Sequence, residues 1–188
     1  MTPRRHRRAV ARAAERATRA AEALDLRRAR DPEIDTTWRL EGSRPDLGLD
    51  LVIELGSTWQ RTAPLRGRWS DWLRVAATRP EPWLPAGIVI RPARRTVWEW
   101  RDGLPGEAAQ ALAGGVLLRV EPPQRLDEVA AHLKRLSAPP HAAYPESIAG
   151  QRCVLRARPE PDAAPEAVLA DLLALLADLG GRAKTILT

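Results

Sequence analysis

Asp46, Asp50 and Glu54 recur at four-residue spacing in the stretch "DLGLDLVIE". Carboxylates paired beside a sheet can hold a divalent cation, which activates a water for attack on a phosphodiester. A metal-dependent nuclease using Asp46, Asp50 and Glu54 is the enzymatic reading of these residues. The lysine such a site would want is missing: Glu54 is followed by Leu55 and Gly56, and the only lysines are Lys134 and Lys184. An alternating strand explains Asp50 and Glu54 more simply, as residues on its solvent face.

The remaining reactive side chains form no constellation. His6, His132 and His141 are scattered and show no His/Cys metal spacing. Cys153 is the single cysteine, flanked by Val154 and Leu155, which predicts a buried, inert thiol and no disulfide. There is no GxSxG, P-loop or GxGxxG, and the glycines of "LAGG" and "LGG" read as helix stops. No catalytic residue, metal ligand or cofactor is expected, and the chain is not expected to be an enzyme.

Arginine carries the strongest pattern. Residues 1–30 hold ten Arg against Glu15, Glu22 and Asp25, a net +7 within a chain of net +6. On a helical wheel centred on Arg8, the residues Arg4, Arg5, Arg12, Arg16, Arg19, Arg27 and Arg30 fall within an arc of roughly 140°. Val10, Ala13, Ala14, Ala17, Ala20, Ala21 and Leu24 take the other side. The result is a two-faced helix about 40 Å long. Its alanine face buries little area, so it is weakly anchored by apolar contact alone. Heavy Arg and Ala use is what GC-rich coding produces, but coding bias does not sort arginines onto one side. The stripe fits a polyanion, whose phosphates would meet Arg5, Arg8, Arg12, Arg16 and Arg19 in charge-assisted hydrogen bonds with release of counterions. Arg94, Arg95 and Arg101 would extend the patch.

Seven Trp and one Tyr, with no Phe, make tryptophan the main aromatic mass. Trp38, Trp59, Trp69, Trp72, Trp83, Trp98 and Trp100 are interleaved with arginines, among them Arg61, Arg66 and Arg68. Such interleaving suits stacking on single-stranded bases, or an interface hot spot. With no Phe available, most of these Trp must fill the core, and Trp59 and Trp83 are the best exposed candidates.

The elements that must position these groups follow from periodicity. Residues 5–29 read as one helix, broken at Pro32. Strands are expected at 36–42 and 47–56 as a hairpin, then at 87–92, 95–100, 116–122 and 151–159. Helices are expected at 65–79, 104–115, 123–137 and 166–181, with a loop over 138–150. The last helix is apolar enough to need cover from a sheet or another subunit. These elements predict a mixed α+β fold: an antiparallel hairpin in the first half, strand–helix alternation with crossovers in the second, one sheet covered by helices, and an N-terminal helical arm. The division is a basic helix at 1–31 and a single mixed α/β domain at 32–188. The 188 residues suffice for a sizeable core.

Together these readings predict a non-catalytic subunit of a larger microbial or viral assembly. It would bind nucleic acid, or an acidic protein surface, through the Arg stripe, and form homo- or hetero-oligomers. The alternative is a structural adaptor that oligomerises through the Ala face and the apolar last helix, without nucleic acid. The sequence has no secretory h-region and no 18-residue apolar span, so a soluble, cytoplasmic protein without membrane partners is expected. Glu15, Glu22 and Asp25 count against an organellar transit peptide at the Arg-rich start.

Overall fold

The computed structural model describes residues 3–29, 37–63, 66–92, 110–111, 117–131, 143–157, 159 and 163–181. Helix α1 (Pro3–Leu24) leads into β1 (Arg27–Ala29), β2 (Thr37–Arg44), β3 (Leu49–Ala63), β4 (Arg66–Thr78) and β5 (Val89–Pro92). Then come β6 (Gln110–Ala111), β7 (Leu117–Glu121), a 3-10 helix (Pro123–Val129), β8 (Tyr144–Ala149), β9 (Arg152–Ala157) and helix α2 (Pro165–Gly181). Among the described residues the strands form a nine-stranded sheet in the order β1-β2-β3-β4-β9-β8-β5-β7-β6, and each neighbouring pair is antiparallel. The fold is α+β with antiparallel hairpins, as the sequence predicts.

The β2–β3 hairpin forms because "LGLDLVIEL" alternates. Leu49, Leu51, Ile53 and Leu55 are buried, while Asp50, Val52 and Glu54 lie on the other face. Gly48, at φ +63°, closes the turn between the two strands. Both helices lie over the inner face. Ala17 and Ala20 of α1 share one core with Leu40, Ile53, Leu73, Val75 and Leu155 of the sheet. Val168, Leu169, Leu172, Leu173, Leu176 and Leu179 of α2 belong to the same core. The apolar last helix is thus covered by the chain's own sheet and by α1.

Several elements depart from the sequence-based expectation. The first helix stops at Leu24, not at residue 29. Asp25 adopts φ +51°, the Asp25 N–H reaches the Glu22 carbonyl at 3.5 Å, and the Leu26 N–H reaches the Ala21 carbonyl at 2.9 Å. This pair of bonds is a Schellman closure with Asp25 in the left-handed position that usually takes Gly. Burial of Leu26 then turns the chain back into β1, which pairs with β2. Arg27 therefore sits on an edge strand and leaves the helical stripe.

The expected helix at 65–79 is strand β4, paired with β3 along its whole length. The spacing of Trp69, Trp72, Leu73 and Ala76 suggested a helix. The period that prevails is two, with Asp71, Leu73, Val75 and Ala77 buried on one face. Buried Asp71 interrupts the apolar alternation and hides it from a hydropathy reading. The expected loop over 138–150 contains β8, whose Pro145 sits at a register irregularity, where a strand tolerates a missing N–H. The crossovers expected in the second half are replaced by antiparallel pairings. Of the helix expected at 104–115, residues 110–111 are strand β6. The helix expected at 123–137 is 3-10 through Val129. The strand expected at 95–100 lies outside the described residues.

Leu172 of α2 is fully buried. Leu172→Ala should lower the unfolding free energy by about 3 kcal/mol in urea, with an unchanged denaturant slope. A loss below about 1 kcal/mol would show that α2 does not sit on this core.

Candidate nucleic-acid interface

Along α1, Ala13, Ala17 and Ala20 are 1%, 0% and 0% exposed. Three buried methyl groups contribute only about 2 kcal/mol at ~0.8 kcal/mol each, little for a 22-residue helix. Ala21 and Leu24 pack against the core as partly buried groups, and ion pairs add to this grip. Arg16 borders the alanine face and its guanidinium donates to the Asp71 carboxylate of β4. Asp71 Oδ1 also accepts from the Ser57 hydroxyl, across the register pair Ser57↔Asp71. Arg12, one turn before Arg16, reaches the same carboxylate at 3.6 Å. The side chains of Asp71 and Arg16 are 6% and 12% exposed. This is a nearly buried ion pair with its hydroxyl donor, and loss of either partner strands the other charge. Farther along, Arg19 pairs with Glu166 in the first turn of α2. The Glu166 carboxyl is held below the usual carboxylate range by a backbone amide at the helix start and then by Arg19. Its contribution is therefore present at neutral pH and is lost as pH falls through the lowered value.

The expected stripe thus divides into two parts. Arg16 and Arg19 are engaged with carboxylates of the body, and exposed Glu15 and Glu22 share their end of the helix. Arg7 and Arg8 are exposed, and Arg12 is 47% exposed. Arg5 lies in the first turns of α1. Residues 4–12 include five Arg and no acidic residue. They occupy the positive end of the helix dipole, where cations repel the helix and an anion would relieve them. Arg94, Arg95 and Arg101 lie outside the described residues, so the proposed extension of the patch does too.

The three carboxylates of the nuclease reading do not converge. Asp46 takes two hydrogen bonds from Arg44, at 2.9 and 2.6 Å, and its pKa is lowered by that contact. Asp50 accepts from Ser43 at 2.6 Å. Glu54 accepts from Arg74 at 2.8 Å, and Arg74 also donates to Glu146 at 2.9 Å. Among the described residues no cluster of His, Cys, Asp and Glu could hold a metal ion. Asp46 and Asp50 do line a groove of roughly 720 Å³ with Arg79, Glu81, Trp83 and Gly180.

That groove corrects the expectation for Trp83, which is 2% exposed. Its indole N–H donates to the Gln151 carbonyl at 3.0 Å, and the Arg79 guanidinium lies 4.3 Å over its ring. Arg79 is itself buried. It donates to the carbonyls of Glu81 (3.0 Å), Pro82 (2.6 Å) and Gly180 (3.0 Å), capping the end of α2. Burial lowers the pKa of Arg79 and pushes the Cys153 thiol up, so Cys153 is the inert core thiol expected.

The chain matches no protein-family model and no curated protein. Among the described residues no helix is long and apolar enough to cross a membrane. Sequence reasoning missed Asp71 and Ser57. The only available signal was an acid at an otherwise apolar-phased strand position, legible once β4 is paired with β3.

Asp71→Ala leaves Arg16 buried without its carboxylate. It should cost about 3 kcal/mol in urea unfolding, and Asp71→Asn, which keeps an acceptor oxygen for Ser57, should cost less. Equal stability of wild type and Asp71→Ala would show that the pair does not hold α1.

Proposed function

We propose that the protein is a non-catalytic, nucleic-acid-binding subunit of a larger microbial or viral assembly, gripping phosphate through the first three turns of α1. One observation carries this reading. The acid-free segment with Arg5, Arg8 and Arg12 belongs to a helix fixed on the body by buried alanines and by Asp71. The charge is therefore offered by a positioned element, which lowers the ordering cost of binding relative to a free tail. Arg8 and Arg12 make the principal phosphate contacts and Arg5 extends them. Arg16 and Arg19 set the angle of the helix. Binding of this kind positions the protein on the phosphate backbone without reading sequence.

The adaptor reading needs a free alanine face and a free apolar last helix. Ala13, Ala17 and Ala20, and the leucines of α2, are instead buried within the chain. The nuclease reading needs three convergent carboxylates, and Asp46, Asp50 and Glu54 are each held by a different partner.

In a fluorescence titration with nucleic acid, log K should fall linearly with log salt. Arg8→Ala alone should reduce the magnitude of that slope by about 1 with the urea midpoint close to wild type, and Arg8→Ala with Arg12→Ala by about 2, at a lower midpoint because Arg12 also pairs with Asp71. A salt-insensitive affinity, or a slope unaltered by both substitutions, would reject the assignment.

A further inference from the structure

Three arginines one turn apart on α1, Arg8, Arg12 and Arg16, are graded in what holds them. Arg16 is 12% exposed and its guanidinium donates to Asp71 Oδ2. Arg12 is 47% exposed, and its Nη2 stands 3.6 Å from Asp71 Oδ1. Arg8 is exposed. Successive members lie about 6 Å apart along the helix axis. Arg12 therefore marks the boundary between the turns offered to phosphate and the turns committed to the body.

The Asp71 carboxylate does not depend on Arg12. Both of its oxygens are met by closer donors, Oδ2 by Arg16 and Oδ1 by the Ser57 hydroxyl. At 3.6 Å the Arg12 contact exceeds hydrogen-bond length. It is an attraction between charges with half of the cation in water, and such pairs are worth little. The same guanidinium gains more from a phosphate oxygen at hydrogen-bond distance, because charge-assisted bonds of that kind are short and strong. A nucleic-acid strand that meets Arg8 brings further phosphates within reach of Arg12, since each strand of a duplex carries one charge per ~3.4 Å of axis.

We propose that Arg12 exchanges partners on binding: Asp71 holds it in the free protein, and a backbone phosphate takes it in the complex. The inference rests on the nucleic-acid reading of α1 and adds a regulatory contact to it. Asp71 then has two effects of opposite sign. It anchors α1 through Arg16, which favours binding, and it competes with phosphate for Arg12, which opposes binding. Ser57 adjusts the second effect. Its hydroxyl donates to the oxygen that Arg12 faces, and so loosens the hold on Arg12. Because Arg16 and Ser57 keep the carboxylate satisfied, the exchange strands no buried charge and α1 stays seated.

The test is a double-mutant cycle in nucleic-acid affinity. The probe is a short DNA duplex, or its RNA counterpart if that binds more tightly, followed by fluorescence anisotropy at one low salt concentration. Asp71→Asn is made with Arg12 present and in Arg12→Ala. Loss of the Arg16 anchor, or of one negative charge from the neighbourhood, changes affinity alike in both backgrounds. Loss of the competitor acts only where Arg12 is present. Asp71→Asn should therefore be more favourable to binding by about threefold with Arg12 than without it, the worth of one exposed ion pair. Ser57→Ala keeps Asp71 and the Arg16 anchor and should act in the other direction. It should weaken binding about twofold with Arg12 present and leave the affinity of Arg12→Ala unaltered. Equal effects of either substitution in the two backgrounds overturn the exchange while the α1 reading stands. If the wild type binds neither duplex, both fail.

Discussion

The carboxylate of Asp71 fixes how the amino-terminal helix lies on the sheet. It sits at the seam where α1 crosses the β3–β4 hairpin and accepts from Ser57 on the neighbouring strand and from Arg16 on the helix. The alanines beneath α1 allow close approach but supply little free energy and no direction. The ion pair supplies direction, because a nearly buried guanidinium can be satisfied only where its partner lies. Arg12, Arg8 and Arg5 inherit their placement from that contact.

Strand β4 performs a similar service at its other end. Arg79, one residue past Thr78, is buried. Its charge is spread over the carbonyls of Glu81, Pro82 and Gly180 and the face of Trp83. Three of these groups belong to the loop after β4 and one to the last turn of α2. A single strand thus carries an acid that holds one helix and leads into a base that caps the other. The mostly apolar α2 is fixed at one end by its leucines and this cap, and at its start by the Arg19–Glu166 pair to α1. The two helices are in this way registered to each other through the sheet, through their shared core and through the Arg19–Glu166 pair.

Much of this was legible in the residues. The alternation of Leu49, Leu51, Ile53 and Leu55 gave β3, and the apolar stretch 166–181 gave α2. The Arg stripe was legible as a pattern but not as a division of labour. Whether Arg16 faces solvent or a buried acid depends on Asp71, fifty-five residues away, and no local reading supplies that. Strand β4 was obscured for the same reason, since a buried polar residue breaks the apolar period. The end of α1 was obscured by Asp25, which adopts a left-handed conformation that sequence ordinarily assigns to Gly or Asn. Trp83 looked exposed because it lies among prolines, yet its ring is covered by Arg79 and its N–H is taken by Gln151.

The most direct test of the Asp71 anchor is hydrogen–deuterium exchange along α1, compared with α2, in wild type and in Asp71→Asn. The anchor predicts that amides of α1 from Ala13 to Ala20 are protected in wild type. In the variant they should lose protection selectively, with α2 close to unchanged. Exchange of α1 at the rate of an unstructured peptide in the wild-type protein, or undiminished protection in the variant, would contradict it.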